Sequence, residues 1–250
     1  MSAVQPTAFN CEGGLILNRS TFLMQPGEAL ELRNFEPDIE GGYRRISGFS
    51  KYVSAVVPQT ASASEKVLMV ATFGSKVLAA RGTSIFSADP GGSSWSSIDS
   101  GRTGAGIYNF ERFNFNGTDK IVVVDGANAP TVFNSSLSAT DVSESDVAGA
   151  KFVAAFKNHM FYAGKSTIPQ TIVFSQPAGT INVDDTITGL KVFREDLFIF
   201  CETRIFKLSG TSSSNFAIVP VTRDIGCING NTIQEFAGDL IFLGPDGLRT

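Results

Sequence analysis

Apolar residues in this chain fall in short runs that are separated by polar turn residues. The runs at 67–71 (VLMVA), 120–124 (KIVVV), 171–175 (TIVFS) and 196–200 (DLFIF) are rich in β-branched and aromatic residues. Runs of this length and composition, bounded by turn residues, are typical of β-strands. No stretch of a dozen residues keeps the 3.6-residue period of an amphipathic helix. The pattern therefore predicts an all-β chain.

The same arrangement of runs recurs along the chain: an aromatic residue, a short polar turn, an apolar strand, a break and a second apolar strand. The leading aromatic residues, spaced by roughly 40 residues, are Phe73, Phe115, Phe156, Phe193 and Phe236. The second apolar strands carry Phe86, Phe133, Phe174, Phe206 and Leu248. A repeat of this length with about four short strands is typical of a propeller blade. The prediction is a β-propeller of about five blades at 41–250, preceded by an extended N-terminal arm at 1–40.

The last copy of the repeat raises the question of how the propeller is closed. The final residues, LGPDGLRT, lie two predicted strands into the fifth copy. We therefore expect the last blade to be completed by further chain or by a strand supplied in trans. The strand-like stretch 42–57 is another candidate for closing the ring.

The charge balance argues against a protein that grips nucleic acid. The chain has 20 Lys and Arg against 24 Asp and Glu, a formal net charge of −4. Tight, sequence-independent binding to phosphates requires an excess of basic residues. A weakly acidic surface could line a channel through which nucleic acid passes without specific binding, because like charges repel. Such a charge is also common among globular proteins of every function.

Few residues are candidates for chemistry. The three cysteines have no metal-ligand spacing, and the single histidine, His159, is predicted to be a solvated residue of the turn that begins at Lys157. The acidic stretch 182–185 lacks the spaced oxygen ligands of a calcium loop and is predicted to be a turn between blades. A Ser–His–Asp triad would need His159, and no nucleophile-elbow motif is present to supply the serine. We expect no catalytic residue, no metal and no cofactor.

The chain also lacks signals for a membrane. Its N-terminus has no basic segment followed by an apolar one, and no apolar run approaches the length that spans a bilayer. We expect a protein that is synthesised in a cytoplasm and does not insert into a membrane.

The segment 13–52 carries a resemblance to a known family. Its elements QPGEA (25–29), LRNFEP (32–37) and GGYRRISGF (41–49) resemble the N-terminal region of bacteriophage virion proteins, in particular the tail hub or nozzle proteins of short-tailed phages. The resemblance covers about 40 residues closely, and the remainder only through the propeller-like pattern.

The resemblance implies a structural role in the virion tail. It implies a homo-oligomeric ring, commonly a hexamer, that contacts the portal or its adaptor ring and the tail fibre or spike proteins. The genome would pass through this ring during ejection without specific binding, and the chain would be made in the host cytoplasm. Chains of the family are often longer and carry further domains.

The arm is the predicted interface. Apolar and basic residues there can add to the sheet edge of a neighbouring subunit through backbone hydrogen bonds and a few side-chain anchors. The candidate interface residues are Leu30, Leu32, Phe35, Tyr43, Arg44 and Arg45. Packing of the arm on its own propeller is an equally weighted alternative.

Two other functions remain open. A carbohydrate-binding propeller, such as a receptor-binding tail protein, usually repeats exposed aromatic and polar residues on each blade, and a single Trp95 and four Tyr argue against it. A propeller glycosidase or lyase needs paired carboxylates, and the chain shows no recurring pattern of carboxylate and Arg residues. The leading hypothesis is a non-catalytic tail component.

Overall fold

The computed structural model describes residues 13–38, 42–60, 65–103, 106–175 and 177–250. The chain divides into two compact units, Met1–Lys51 and Tyr52–Thr250. The sequence pattern places the boundary after residue 40, whereas the structure assigns residues 42–51 to the first unit. All strands pair within their own unit.

The first unit contains two small strand pairs and a 3₁₀ turn. Strand β1 (Gly14–Leu15) pairs in parallel with β2 (Glu28–Ala29). Strand β3 (Phe35–Pro37) pairs antiparallel with β4 (Tyr43–Arg45). The 3₁₀ turn, Thr21–Leu23, lies between β1 and β2.

The second unit is a β-propeller fold made of consecutive antiparallel sheets, each formed by neighbouring strands in chain order. Sheets I to IV have four strands and sheet V has three among the described residues. Sheet I contains β5 (Val67–Phe73), β6 (Lys76–Arg81), β7 (Ser84–Ala88) and β8 (Ser96–Asp99). Sheet II contains β9 (Asn109–Phe115), β10 (Thr118–Val124), β11 (Thr131–Phe133) and β12 (Ala139–Asp141). Sheet III contains β13 (Phe152–Phe156), β14 (His159–Ala163), β15 (Thr171–Phe174) and β16 (Gly179–Asn182).

Sheet IV contains β17 (Ile187–Phe193), β18 (Asp196–Cys201), β19 (Ile205–Ser209) and β20 (Ala217–Thr222). Sheet V contains β21 (Gln234–Phe236), β22 (Asp239–Gly244) and β23 (Gly247–Arg249), preceded by a 3₁₀ turn at Gly230–Thr232. The predicted all-β propeller is therefore confirmed. Sheet V has three strands where the sequence pattern predicts two.

Each predicted leading aromatic residue is the last residue of the first strand of its sheet. A two-residue hairpin turn follows it. In sheet II the turn residues Asn116 and Gly117 have φ of 64° and 77°, and in sheet III Lys157 and Asn158 have φ of 45° and 62°. Two successive residues with positive φ define a type I′ turn, whose twist matches that of the flanking strands. The turn thus fixes where the aromatic residue lies.

The second strands of sheets II, III and IV pack against both neighbouring sheets, and β10 shows this most clearly. Ile121 and Val123 belong to the core between sheets I and II. Val122 and Val124 belong to the core between sheets II and III. Because successive side chains of a strand point to opposite faces, one strand supplies both cores. All four side chains are fully buried, and each burial stabilises the fold by about 1.5–3 kcal/mol.

Strand β18 repeats this alternation between sheets III and V. Leu197, Ile199 and Cys201 pack toward sheet III. Phe200 packs toward sheet V, where its ring lies 5.3 Å from that of Phe242. The sheets therefore stack face to face in chain order, as propeller blades do.

The linker between sheets I and II carries a buried ionic clasp. The Arg102 guanidinium donates to Asp99 Oδ2 at 2.8 Å, to Asp125 Oδ2 at 2.8 Å and to Thr131 Oγ1 at 2.6 Å. Burial disfavours its charged form, but the hydrogen bonds and charges of the two aspartates outweigh this and raise the pKa of Arg102. Asp125 also accepts from the backbone N–H groups of Ala127 and Asn128. The linker is thereby tied to the turn between the second and third strands of sheet II.

The same kind of clasp recurs at sheet IV. Asp185, in the linker from sheet III, accepts from the backbone N–H and the hydroxyl of Thr203, both at 2.8 Å. Its neighbour Asp184 forms an ion pair with Arg204. Residues 183–185 therefore lie between blades, as the sequence pattern predicts, whereas Asn182 is the last residue of β16. The carboxylates of Asp184 and Asp185 bind the next sheet.

The stretch 42–57 does not close the propeller with a strand. Its one strand in the described residues is β4, which pairs with β3. Residues at 52–55 instead lie on sheet I: Gly91 N donates to Tyr52 O at 2.7 Å, and Val53 packs on Val77 and Ala88. The prediction was wrong because side-chain packing and a few isolated hydrogen bonds replace a regular ladder there.

Removing the Arg102 side chain should destabilise the propeller strongly. In Arg102→Ala, the buried Asp125 and the half-buried Asp99 lose their cation. We expect this to lower the free energy of unfolding by about 3–5 kcal/mol. Arg204→Ala is the matched control, since the Arg204–Asp184 pair is exposed and should contribute less than about 1 kcal/mol. Urea unfolding followed by circular dichroism measures both. Equal decreases in the free energy of unfolding of the two variants would contradict the stabilising role of the Arg102 ion pairs.

Candidate functional site

The predicted interface residue Tyr43 anchors the first unit internally. Its hydroxyl lies 2.7 Å from the carbonyl oxygen of Gly14 and 2.9 Å from that of Gly27, so its one O–H donor is shared between backbone on both sides of the β1–β2 pair. A Cβ at Gly13 would lie 2.6 Å from the backbone nitrogen of Glu28. The close approach of these two segments therefore requires the glycine.

The hairpin of β3 and β4 brings Phe35, Arg44 and Arg45 together. Phe35 is directly opposite Arg45 in the ladder, and Glu36 is opposite Arg44. Arg44 Nε donates to Glu36 Oε1 at 2.7 Å. Phe35, Arg44 and Arg45 are exposed. The hairpin therefore presents an aromatic ring next to a guanidinium that forms no ion pair in the described residues.

Leu30 and Leu32 do not belong to a strand. Strand β2 ends at Ala29, and the chain bends at the next residue. Leu30 is exposed and Leu32 is half-buried. The structure thus places the six predicted interface residues in one unit, but on two different segments of it.

The first unit has almost no core. Among its described residues, 13–38 and 42–51, only Gly27 is buried. By contrast, Phe22 is 97% exposed and Phe49 is 96% exposed. Leu17 and Leu23 are also exposed. The unit therefore leaves most of its apolar side chains exposed, as units too small to form a core of their own do.

Sequence reasoning did not single out Phe22 and Phe49 as exposed residues. An apolar residue in a sequence predicts burial, and the neighbouring residues do not show whether its ring is buried or exposed in the folded chain. The available signal was the absence of any strand-length apolar run in the first 50 residues, which leaves these rings with no sheet to cover.

A small axial cavity lies where the first strands of the sheets meet. It has a volume of about 220 Å³ and is lined by residues of β9, β13, β17 and β21, with Glu111 and Lys191 as its charged side chains. Burial raises the pKa of Glu111 to about 7, and the positive charges of Lys191 and Arg112 oppose that effect. The cavity therefore holds a carboxyl that is partly protonated near neutral pH.

His159 is buried, so the prediction of a solvated turn residue was wrong. The turn contains only Lys157 and Asn158, and His159 is the first residue of β14, opposite Phe156. Its Nδ1 donates to the carbonyl oxygen of Ser175. Its ring lies 5.4 Å from the ring of Phe216 in an edge-to-face contact. The histidine is part of the core between sheets III and IV.

No catalytic arrangement is evident in the described part of the chain. Cys201 and Cys227 are buried and unbonded, and burial raises the pKa of the Cys201 thiol to about 12. Within residues 13–250 as described, no three His, Cys, Asp or Glu side chains lie close enough to hold a metal ion. The described residues contain no helix of the length and hydropathy needed to cross a bilayer.

Comparisons with known proteins show the fold. No protein-family model matches the chain, and no curated protein matches it. The computationally designed Ika8 protein is similar to this chain at a TM-score of 0.52 and 10% identity, over 78% of this chain and 59% of that one. The AfRom2 CNH domain is similar at a TM-score of 0.51 and 10% identity, over 73% and 66%.

BBS1N, in its complex with ARL6DN, is similar at a TM-score of 0.50 and 12% identity, over 73% of this chain and 62% of that one. This chain spans less than two thirds of the length of each of the three structures. At such low sequence identities, the structural similarity supports the propeller fold and gives no information about function.

The Glu111 carboxyl should make the propeller less stable as pH rises. The unfolded carboxyl loses its proton near pH 4.5 and the folded one near pH 7, so the unfolded state is favoured progressively across that window. Glu111→Gln removes this dependence, and we expect it to be more stable than the wild type by about 1–2 kcal/mol at pH 8 but equal at pH 4.

Urea unfolding at the two pH values measures this difference. Glu235→Gln, at an exposed position on β21, is the control and should follow the wild type at both. A constant difference between Glu111→Gln and the wild type would show that Glu111 does not bind a proton in this window.

Proposed function

We propose that this chain is a non-catalytic structural protein of a phage tail, and that its first unit binds a second copy of the chain while the propeller acts as a rigid body. The observation that carries the proposal is the first unit's lack of a core, with Phe22 and Phe49 almost fully exposed. The resemblance of residues 13–52 to tail hub and nozzle proteins supplies the identity of the partner, because those proteins form rings of identical subunits.

The charges of the first unit favour an apolar protein contact over a nucleic-acid contact. Arg19 pairs with Glu28 at 2.9 Å, and Arg44 pairs with Glu36 at 2.7 Å. Arg33 pairs with Glu31. Carboxylates in this way neutralise three of the cations that could bind phosphates. The remaining exposed groups are largely apolar, which suits the centre of a subunit interface.

The axial cavity of the propeller is too small to be the channel for a genome. The cavity of about 220 Å³ adjoins a second one of about 480 Å³ that shares four of its lining residues. Together they hold on the order of twenty water molecules, each of which takes ~30 Å³ in the liquid. A duplex, whose major groove alone is about 12 Å wide, does not fit there. In the proposed ring the DNA therefore runs between copies of the chain, and contacts to a portal or adaptor ring and to tail fibres or spikes lie on the outside.

Loss of the two exposed rings should abolish self-association. We expect the wild-type chain to form oligomers whose molar mass is a fixed multiple of the subunit, and Phe22→Ser/Phe49→Ser to be monomeric with an unchanged propeller. Light scattering coupled to size-exclusion chromatography measures the mass, and thermal unfolding reports on the propeller. The matched control is Phe236→Ser, since Phe236 is an exposed Phe of sheet V and should not affect assembly.

Two results would overturn parts of the proposal separately. A wild-type chain that stays monomeric at high concentration would remove the contact between copies. Antibodies against the chain that fail to label the tails of virions from the genome that encodes it would remove the tail assignment. Class averages from electron microscopy that show a closed ring with a central opening would support both the ring and its lumen.

A further inference from the structure

One position of the repeat differs in sheet II from all the other sheets. The position is the third residue of the second strand of each sheet, which is directly opposite the third-last residue of the first strand in the ladder. This position holds an apolar residue in sheets I, III, IV and V, and a lysine in sheet II. The equivalent residues are Leu78, Phe161, Phe198 and Ile241, and Lys120.

The Lys120 side chain lies on the face of β10 that meets sheet III. Ile121 packs toward sheet I and Val122 toward sheet III, so alternation puts Lys120 on the same face as Val122. In sheets I, III and IV the equivalent residues Leu78, Phe161 and Phe198 pack in the core against the next sheet. A lysine therefore replaces a core residue between sheets II and III.

A cavity occupies the place that the missing core residue would fill. It has a volume of about 350 Å³ and lies between sheets II and III at their hairpin turns. We call it the Lys120 cleft. Its lining residues are Phe113, Phe115, Asn116, Lys120, Asn158 and Ser175. A volume of this size is in the range of small-molecule sites.

Three polar groups in the Lys120 cleft are free to bind a ligand. In the described part of the chain, the Lys120 ammonium has no hydrogen bond or ion pair, although the residue is half-buried. The carboxamides of Asn116 and Asn158, on two facing hairpin turns, also lack partners among the described residues. An ammonium without a partner at the wall of a cleft can pair with an anion bound there.

The rest of the wall is aromatic. The rings of Phe113 and Phe115 lie 4.9 Å apart between centroids and are tilted by 52°. Both rings are half-buried, so part of each ring surface remains open. An aromatic wall packs against the C–H face of a ligand, a carboxamide pairs with hydroxyl groups, and an ammonium pairs with a carboxylate.

We propose that the Lys120 cleft binds a small hydroxylated carboxylate of the hexuronic acid class. The carboxylate pairs with Lys120, the hydroxyl groups bind the carboxamides of Asn116 and Asn158, and the ring face packs on Phe113 and Phe115. The site lies wholly within the propeller, so it does not depend on the proposed assembly through the first unit.

Protein-observed NMR titration with D-glucuronate tests the site. We expect resonances of the Lys120 cleft to shift, with D-glucose binding at least about tenfold more weakly because it lacks the charged partner of Lys120. Acetate should also bind more weakly, since it lacks the hydroxyl groups and the ring face. Shifts of equal affinity for acetate would overturn the hydroxylated class, and no shifts at the cleft with glucuronate would overturn the site.

Lys120→Leu is the decisive variant because it restores the apolar residue of the other sheets. We expect it to fold with a Tm at or above that of the wild type and to bind glucuronate at least about tenfold more weakly. Lys66→Leu, at an exposed position outside the cleft, should bind as the wild type does. Unchanged glucuronate binding by folded Lys120→Leu would contradict the role of the ammonium. If Lys120→Leu does not fold, Asn158→Ala replaces it, because it changes an exposed turn side chain. We expect Asn158→Ala to bind glucuronate more weakly and acetate as the wild type does. Unchanged glucuronate binding by this variant would contradict the proposal.

Discussion

The propeller depends on one constraint: the second strands of sheets II, III and IV must present alternate side chains to two different neighbouring sheets. Strand β10 does this with four consecutive apolar residues, 121–124, which are divided between two cores. A slip of one residue in its pairing would exchange the two sets and send each to the wrong sheet. The two-residue hairpin turns before these strands prevent such a slip, because their positive φ angles fix the register.

The two units of the chain differ in whether their strands have neighbouring sheets to pack against. In the propeller, each sheet is stabilised by its neighbours, and linker residues such as Arg102 and Asp185 tie one sheet to the next. The first unit has strands of two or three residues and no stacked partner in its own described residues. Its apolar side chains therefore remain available for another molecule, and this is the physical basis of the proposed structural role.

Sequence reasoning found the features that depend on neighbouring residues. The leading aromatic residues were located correctly because strand ends are marked by local turn residues. His159 was misplaced by one residue, which was enough to move it from solvent to the core. The clasp of Arg102 and Asp125 joins residues 23 positions apart, and the unusual position of Lys120 is visible only once the registers of all five sheets are known. Neither could be inferred from local patterns.

Hydrogen–deuterium exchange resolved by peptide tests the stacked-sheet account most directly. The amides of β6, β10, β14 and β18 lie in strands that are paired on both sides and covered on both faces. We expect them to exchange most slowly and at a common rate, and the outer strands β8 and β12 to exchange faster. Exchange of the second strands as fast as that of β8 and β12 would contradict the account.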